Sequence, residues 1–189
     1  MPGVATEVIA LNGGSSSGTS SLARHIQELL VGPWLILGVD DLLDALAPSL
    51  VGEAPTRPGG PPLVSYDADG TVHVDPAFCV VEARWYAGVA TMARTGLGVI
   101  LDEVLLGGGA AQRQLAEALD GLAVVWVGVR CDPAVAAARE ETLPDRIAGM
   151  AASQATRVHE GVHYDVVVDT TTMSSEACAR AVLAHVKQA

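Results

Sequence analysis

The chain has 189 residues and a mass of 19.4 kDa, enough for one domain with a buried core and a lid. Half the residues are apolar and 17% are charged, which excludes general disorder. Eleven Lys and Arg stand against 22 Asp and Glu, a net charge of -11, which argues against nucleic acid or an anionic membrane surface as a partner.

Ten of the eleven cations are Arg; the single lysine is Lys187, placed by the pattern in a closing helix. Cys79, Cys131 and Cys178 are odd in number and widely spaced, against a disulfide framework and in favour of a reducing compartment. The first 23 residues carry no Lys or Arg, and the apolar runs are short. The expectation is a soluble cytoplasmic protein without a signal peptide or membrane span.

In chain order, residues 8–11 read as a buried strand, followed by a glycine- and serine-rich turn over 13–18. Helical spacing over 20–30 places Leu22, Ile26, Leu29 and Leu30 on one face. Residues 34–39 form the next strand and 42–46 a short helix. Six of the ten prolines fall within 48–76, an excursion from the sheet that holds a predicted hairpin around Asp67-Ala-Asp-Gly70. A long helix over 78–94 is followed by strands at 98–101, 124–129 and 164–168. Helical stretches cover 110–119, 133–141, 144–157 and 174–186. Continuous apolar strands alternating with helices predict a single-domain, three-layer α/β/α fold with a five-stranded, mostly parallel sheet. The site of such a sheet lies beyond the C-terminal strand ends.

At the first of those ends stand Gly13, Gly14, Ser15, Ser16, Ser17, Gly18, Thr19 and Ser20. The run nearly fits the phosphate-loop pattern Gly-x4-Gly-Lys-Ser/Thr, with a strand before it and a helix after it. Such a loop aims backbone N–H groups at phosphate, and Ser20 stands where a hydroxyl ligates Mg2+. Thr19 occupies the lysine position, so any cation on the β- and γ-phosphates of ATP must be an Arg.

Asp40, at the end of the second strand, is placed to take a proton from an acceptor hydroxyl; the plainer alternative is that it caps the short helix. Asp102 ends the third strand as the acid on the Mg2+ side, with Glu103 as a second candidate. Arg130, Arg139, Arg146 and Arg157 fall within 28 residues. Arg139 and Arg146 are the expected phosphate-gripping groups of a lid over 138–158, against the alternative of surface pairs with Glu140, Glu141 or Asp145. Arg24 lies on the helix after the loop and is read as too far along to meet phosphate. His159 and His163 read as turn residues rather than metal ligands.

The motifs Leu11-Asn-Gly-Gly-Ser-Ser-Ser-Gly18, Gly38-Val-Asp-Asp41, Leu101-Asp-Glu-Val104, Trp126-Val-Gly-Val-Arg-Cys-Asp132, Asp145-Arg-Ile-Ala-Gly-Met150 and Val158-His-Glu-Gly-Val162 together resemble the chloramphenicol phosphotransferase family, over about residues 6 to 187. The resemblance implies a P-loop kinase that uses ATP to phosphorylate the primary hydroxyl of chloramphenicol, an antibiotic-resistance activity of a producer organism. It implies Asp40 as general base, residues 13–20 as the nucleotide loop, and Arg139 and Arg146 as lid groups. Thr19 departs from the family pattern and leaves a second reading, a degenerate, non-catalytic nucleotide- or metabolite-binding member. A third is a partner-binding α/β domain with an empty loop. The expected partner is a small-molecule alcohol acceptor, with ATP and Mg2+ as cofactors; self-association into a homo-oligomer stays open.

Overall fold

The first strand, β1 (Val8–Asn12), is buried at every position. A strand without a polar face must be covered on both sides, and β1 takes the centre of the sheet. The computed structural model describes residues 5–52, 60–142 and 147–187. Around β1 the sheet adds β2 (Trp34–Gly38), β5 (Gly98–Glu103), β6 (Val124–Arg130) and β7 (Val166–Asp169), in the order β2-β5-β1-β6-β7 with every pair parallel. The register aligns Gly38 with Asp102, Asn12 with Glu103 and Arg130 with Asp169, which brings the polar C-terminal ends together along one rim.

One face is covered by α1 (Thr19–Leu29) and α7 (Ser175–Leu183), whose Leu22, Ile26, Cys178 and Val182 pack on Ile9, Leu11 and Val127. Burying Leu22 and Ile26 contributes about 1.5–3 kcal/mol each. The other face is covered by α3 (Pro76–Arg94) and α4 (Gly109–Ala118), with Val89, Ala93 and Leu115 against Val8, Val99 and Leu101. Asp75 starts α3 by accepting from the Ala77 N–H ahead of Pro76 at the first helical position. Trp85 and Met92 of α3, seven residues apart, are both half-buried on this second core.

The hairpin forms as expected, β3 (Val64–Tyr66) antiparallel to β4 (Val72–Val74), and encloses a small third core of Leu42, Val64 and Phe78 with α2 (Val39–Asp44). After β6, Asp132 caps α5 (Pro133–Glu140) through the amides of Ala134 and Val135, and α6 (Met150–Gln154) follows.

Several expectations need correction. Leu29 is 38% exposed, because Leu30 leaves the helix in an extended conformation and turns into the core instead. The short second helix begins at Val39 with Gly38 at its N-cap, and Asp41, three residues on, accepts from the Gly38 N–H at 2.7 Å. Asp40 is therefore not the cap. The stretch expected as one helix over 144–157 is α6 and then a separate 3-10 turn, Arg157–His159. Helix α7 ends at Leu183, so Lys187 lies beyond it, its backbone paired with Thr6. Pro55, Pro58, Pro144, Asp145 and Arg146 lie outside the described residues.

Candidate active site

The loop between β1 and α1 is held from beneath. The Gly13 N–H donates to the Glu103 carbonyl and the Ser17 N–H to the Gly14 carbonyl, while the Thr170 hydroxyl donates to the Ser17 carbonyl. A Cβ at Gly13 would run into Ser17 Oγ, Thr19 Cγ2 and the Val129 carbonyl, so only glycine lets the loop fold this tightly. Gly18 enters α1 with φ +92, and Ser16 holds φ +58, a conformation a serine adopts only under local constraint. The hydroxyls of Ser15, Ser16 and Ser17 are buried without a hydrogen-bond partner among the described residues. First-turn amides of α1 have no intrahelical acceptor. Orphan donors, a tight glycine cradle and a helix N-terminus together fit a phosphate chain.

Ser20 and Thr19 line a cavity of about 510 Å3 with Arg24, Asp40, Asp41 and Asp102. Thr19 itself is 8% exposed, its methyl against Gly13. Among the described residues no three His, Cys, Asp or Glu side chains form a metal site. A hydroxyl and a strand-end carboxylate on one cavity fit Mg2+, which takes one or two protein ligands and completes its shell with water and phosphate oxygens. The predicted pair Ser20 and Asp102 lines one cavity, and Arg24 lines it with them.

A second cavity, of about 470 Å3, opens between the hairpin, α3 and α6. Its walls include Val64, Tyr66, Phe78, Leu105, Leu106 and Met150, and its polar groups include Asp40, Glu82, Tyr86 and Arg157. Asp40 and Ser15 line both cavities. Burial, together with the charge of Asp40, raises the Tyr66 phenol above its ordinary value. Burial raises Glu82, partly offset by Tyr86.

Glu103 is not on the Mg2+ side. Adjacent strand residues point to opposite faces, and Glu103 turns inward, 2% exposed, accepting from the Tyr86 hydroxyl at 3.0 Å. Its other oxygen has no partner among the described residues, and burial pushes its pKa well above the carboxylate range.

Arg139 lies beside the start of α1. Its guanidinium donates to the Thr170 carbonyl at 2.7 Å and to Thr170 Oγ1 and Cys131 Sγ at 3.3 Å. The Arg139 side chain also approaches Gly18. Glu140, which the surface-pair alternative would give to an Arg, instead accepts from the Gly149 and Ala151 amides at the head of α6. Arg146 lies outside the described residues.

Sequence reasoning missed two groups. Gln154, 4% exposed on α6, accepts from the Ser15 amide at 2.8 Å and so ties α6 to the loop. Asn12 donates to the Val158 carbonyl and the Tyr164 hydroxyl and accepts from the Leu105 amide, which fixes the rim behind the loop. Tyr164 in turn donates to His159 Nδ1, and burial, with Arg130 adding to it, holds His159 neutral with its pKa lowered to about 4. These contacts span more than 90 residues of sequence, apart from Tyr164 to His159, and no local pattern marks them.

The fold and the sequence agree with known proteins. "Putative O-phosphotransferase Rv2636" of Mycobacterium tuberculosis is 32% identical over 182 residues, 92% of this chain and 79% of that protein. An unliganded sugar kinase from Janibacter sp. superposes with a TM-score of 0.66 at 14% identity, covering 95% of this chain and 93% of the other. The Mycobacterium tuberculosis APS kinase CysC, solved with AMPPNP and APS, gives 0.61 at 16% identity, covering 96% and 98%. These likenesses establish the P-loop kinase fold, and no helix among the described residues is long and apolar enough to cross a membrane. The sequence profile of the chloramphenicol phosphotransferase-like proteins matches residues 6–187, and the chain belongs to that family.

Proposed function

We propose that the protein is an ATP-dependent O-phosphotransferase that phosphorylates a hydroxyl of a small molecule, chloramphenicol or a related antibiotic. The observation that carries this reading is the position of Asp40, on the wall common to the phosphate-loop cavity and the apolar cavity. A base must reach the acceptor hydroxyl while the phosphoryl donor lies within bonding distance on its other side, and only a shared wall satisfies both.

When bound, ATP would supply the phosphoryl group and Mg2+ would offset its charge. The amides at the start of α1, with Ser15 and Ser16 on the cavity wall, would hold the phosphates. Ser20 and Asp102, which line the same cavity, would hold Mg2+. Val64, Phe78 and Leu106 enclose the body of the acceptor and exclude water. Asp40 Oδ takes the hydroxyl proton as the acceptor oxygen forms its bond to phosphorus and the bond to the β-phosphate oxygen breaks. Arg139 faces the phosphates from beside Gly18, and the segment carrying α6 acts as the lid that closes over the loop. Arg146 has this role by family resemblance alone. A cytoplasmic, single-domain enzyme accords with this use of ATP.

The test is phosphoryl transfer from γ-labelled ATP with Mg2+ to chloramphenicol and a panel of hydroxylated antibiotics, read from the mass of the acceptor. The expected result is a gain of one phosphate on at least one alcohol. A second reading, a nucleotide-binding protein without transfer, is favoured by Thr19 and by Gln154 occupying the Ser15 amide. It predicts nucleotide binding with no phosphorylated product from any alcohol.

A further inference from the structure

The missing lysine leaves a definite vacancy in charge. Thr19 is neutral and buried, and Lys187 is tied by its backbone to Thr6 far along the chain. Arg139 directs both terminal nitrogens to Thr170 and Cys131, which fixes it beside Gly18 on the loop side. Arg24 lines the loop cavity with Asp40, Asp41 and Asp102 and is not on the wall of the apolar cavity. Arg157 differs from both. Among the described residues it is the one Lys or Arg that lines the apolar cavity, and Ser15 and Asp40 line that cavity with it. Its guanidinium has no hydrogen bond or ion pair to another described residue.

Its placement is also constrained. Arg157 opens the 3-10 turn that follows α6, three residues after Gln154, whose side chain is fixed on the Ser15 amide. The turn is held at its middle residue, where Asn12 donates to the Val158 carbonyl at 2.8 Å. The backbone of Arg157 is thereby pinned between two contacts to the loop and the end of β1, while its long side chain stays available.

We propose that Arg157 is a catalytic residue that replaces the absent loop lysine, gripping the γ-phosphoryl group from the acceptor side rather than from within the loop. This rests on the phosphotransferase reading. The guanidinium would donate to the non-bridging oxygens of the phosphoryl group, offsetting their charge as it passes from the β-phosphate oxygen to the acceptor oxygen. It forms and breaks no covalent bond, and the proton still goes to Asp40.

Calorimetric titration of the full chain with Mg2+ and either AMPPNP or ADP tests this without knowledge of the acceptor. The parent protein is expected to bind AMPPNP about tenfold more tightly than ADP, the effect of one charge-assisted contact. Arg157→Gln is expected to erase that preference while leaving ADP affinity unchanged, Arg157→Lys to keep part of it, and Thr19→Lys to restore it in the Arg157→Gln background. A preference that survives in Arg157→Gln overturns the proposal, as does a parent that binds ADP with no preference for AMPPNP. A parent that binds neither nucleotide overturns the phosphotransferase reading itself.

Discussion

The two cavities that meet at Asp40 are built by different means. The loop cavity is made largely of backbone: a glycine cradle, a left-handed entry into α1 and strand ends set by parallel register. The apolar cavity is made of side chains from the hairpin, α3 and α6, elements outside the five-stranded sheet. Backbone geometry survives the exchange of a single side chain, so the loop can lose its lysine and keep its shape. A pocket lined by side chains has no such tolerance, and its selectivity changes with each residue. The difference explains how a member of this family can carry Thr19 on an otherwise conventional loop.

The comparison breaks most severely at the shared residue. Asp40→Ala should lower turnover by about 10²–10⁴, the range for loss of a general base. Nucleotide affinity, held by the backbone side, should stay within about twofold; a parallel fall in ATP affinity by titration would show that Asp40 belongs to the loop site alone. The apolar side is probed by Leu106→Trp, at a half-buried wall position. Narrowing the cavity there should raise acceptor KM by about tenfold with ATP KM unmoved, a discrimination of the size that packing against a small substrate can deliver.

Smaller effects sharpen the contrast. Thr19→Lys should raise kcat by no more than about tenfold in the parent, where Arg157 already carries the charge, and by more in Arg157→Gln; equal gains in both backgrounds would show that the two cations act independently. The weakest effect belongs to the core beneath the site. The pKa of Glu103 is raised in the fold, so the folded state keeps a proton that the unfolded chain loses above the ordinary carboxylate range. Stability from this group is therefore lost as pH rises. Glu103→Gln, which stays neutral, should gain in Tm over the parent as pH goes from about 5 to about 8, as read by thermal melts. An unchanged difference across that range would mean that Glu103 is ionised in the fold.

The sequence makes the sheet and its loop legible, because continuous apolar runs such as Val8–Leu11 and a glycine-rich turn before a helix are local signals with few alternatives. Asp40 and Asp102 are legible as the first polar residues after such runs. What covers the loop is not. Gln154 and Ser15 are 139 residues apart in sequence, and a glutamine on a short helix carries no pattern that marks its partner. Glu140 reads as a surface acid because its acceptors' role is to cap a helix nine to eleven residues on, beyond a single helical turn. Glu103 reads as a second metal-side acid because strand alternation becomes decisive only once β5 is known to run two residues past Leu101. Lys187 reads as helical because apolar spacing continues past Leu183, where pairing with Thr6 takes over.

Asp40 is the proposed base between a nucleotide and an alcohol, on the wall both cavities share. The most direct measurement is single-turnover transfer from γ-labelled ATP to the acceptor by the parent and by Asp40→Ala, with ATP binding titrated in parallel for both. The account predicts phosphorylated acceptor from the parent, almost none from Asp40→Ala, and near-equal ATP affinity. Transfer by Asp40→Ala at the parent rate, or a parent that binds ATP yet phosphorylates no alcohol, would contradict it.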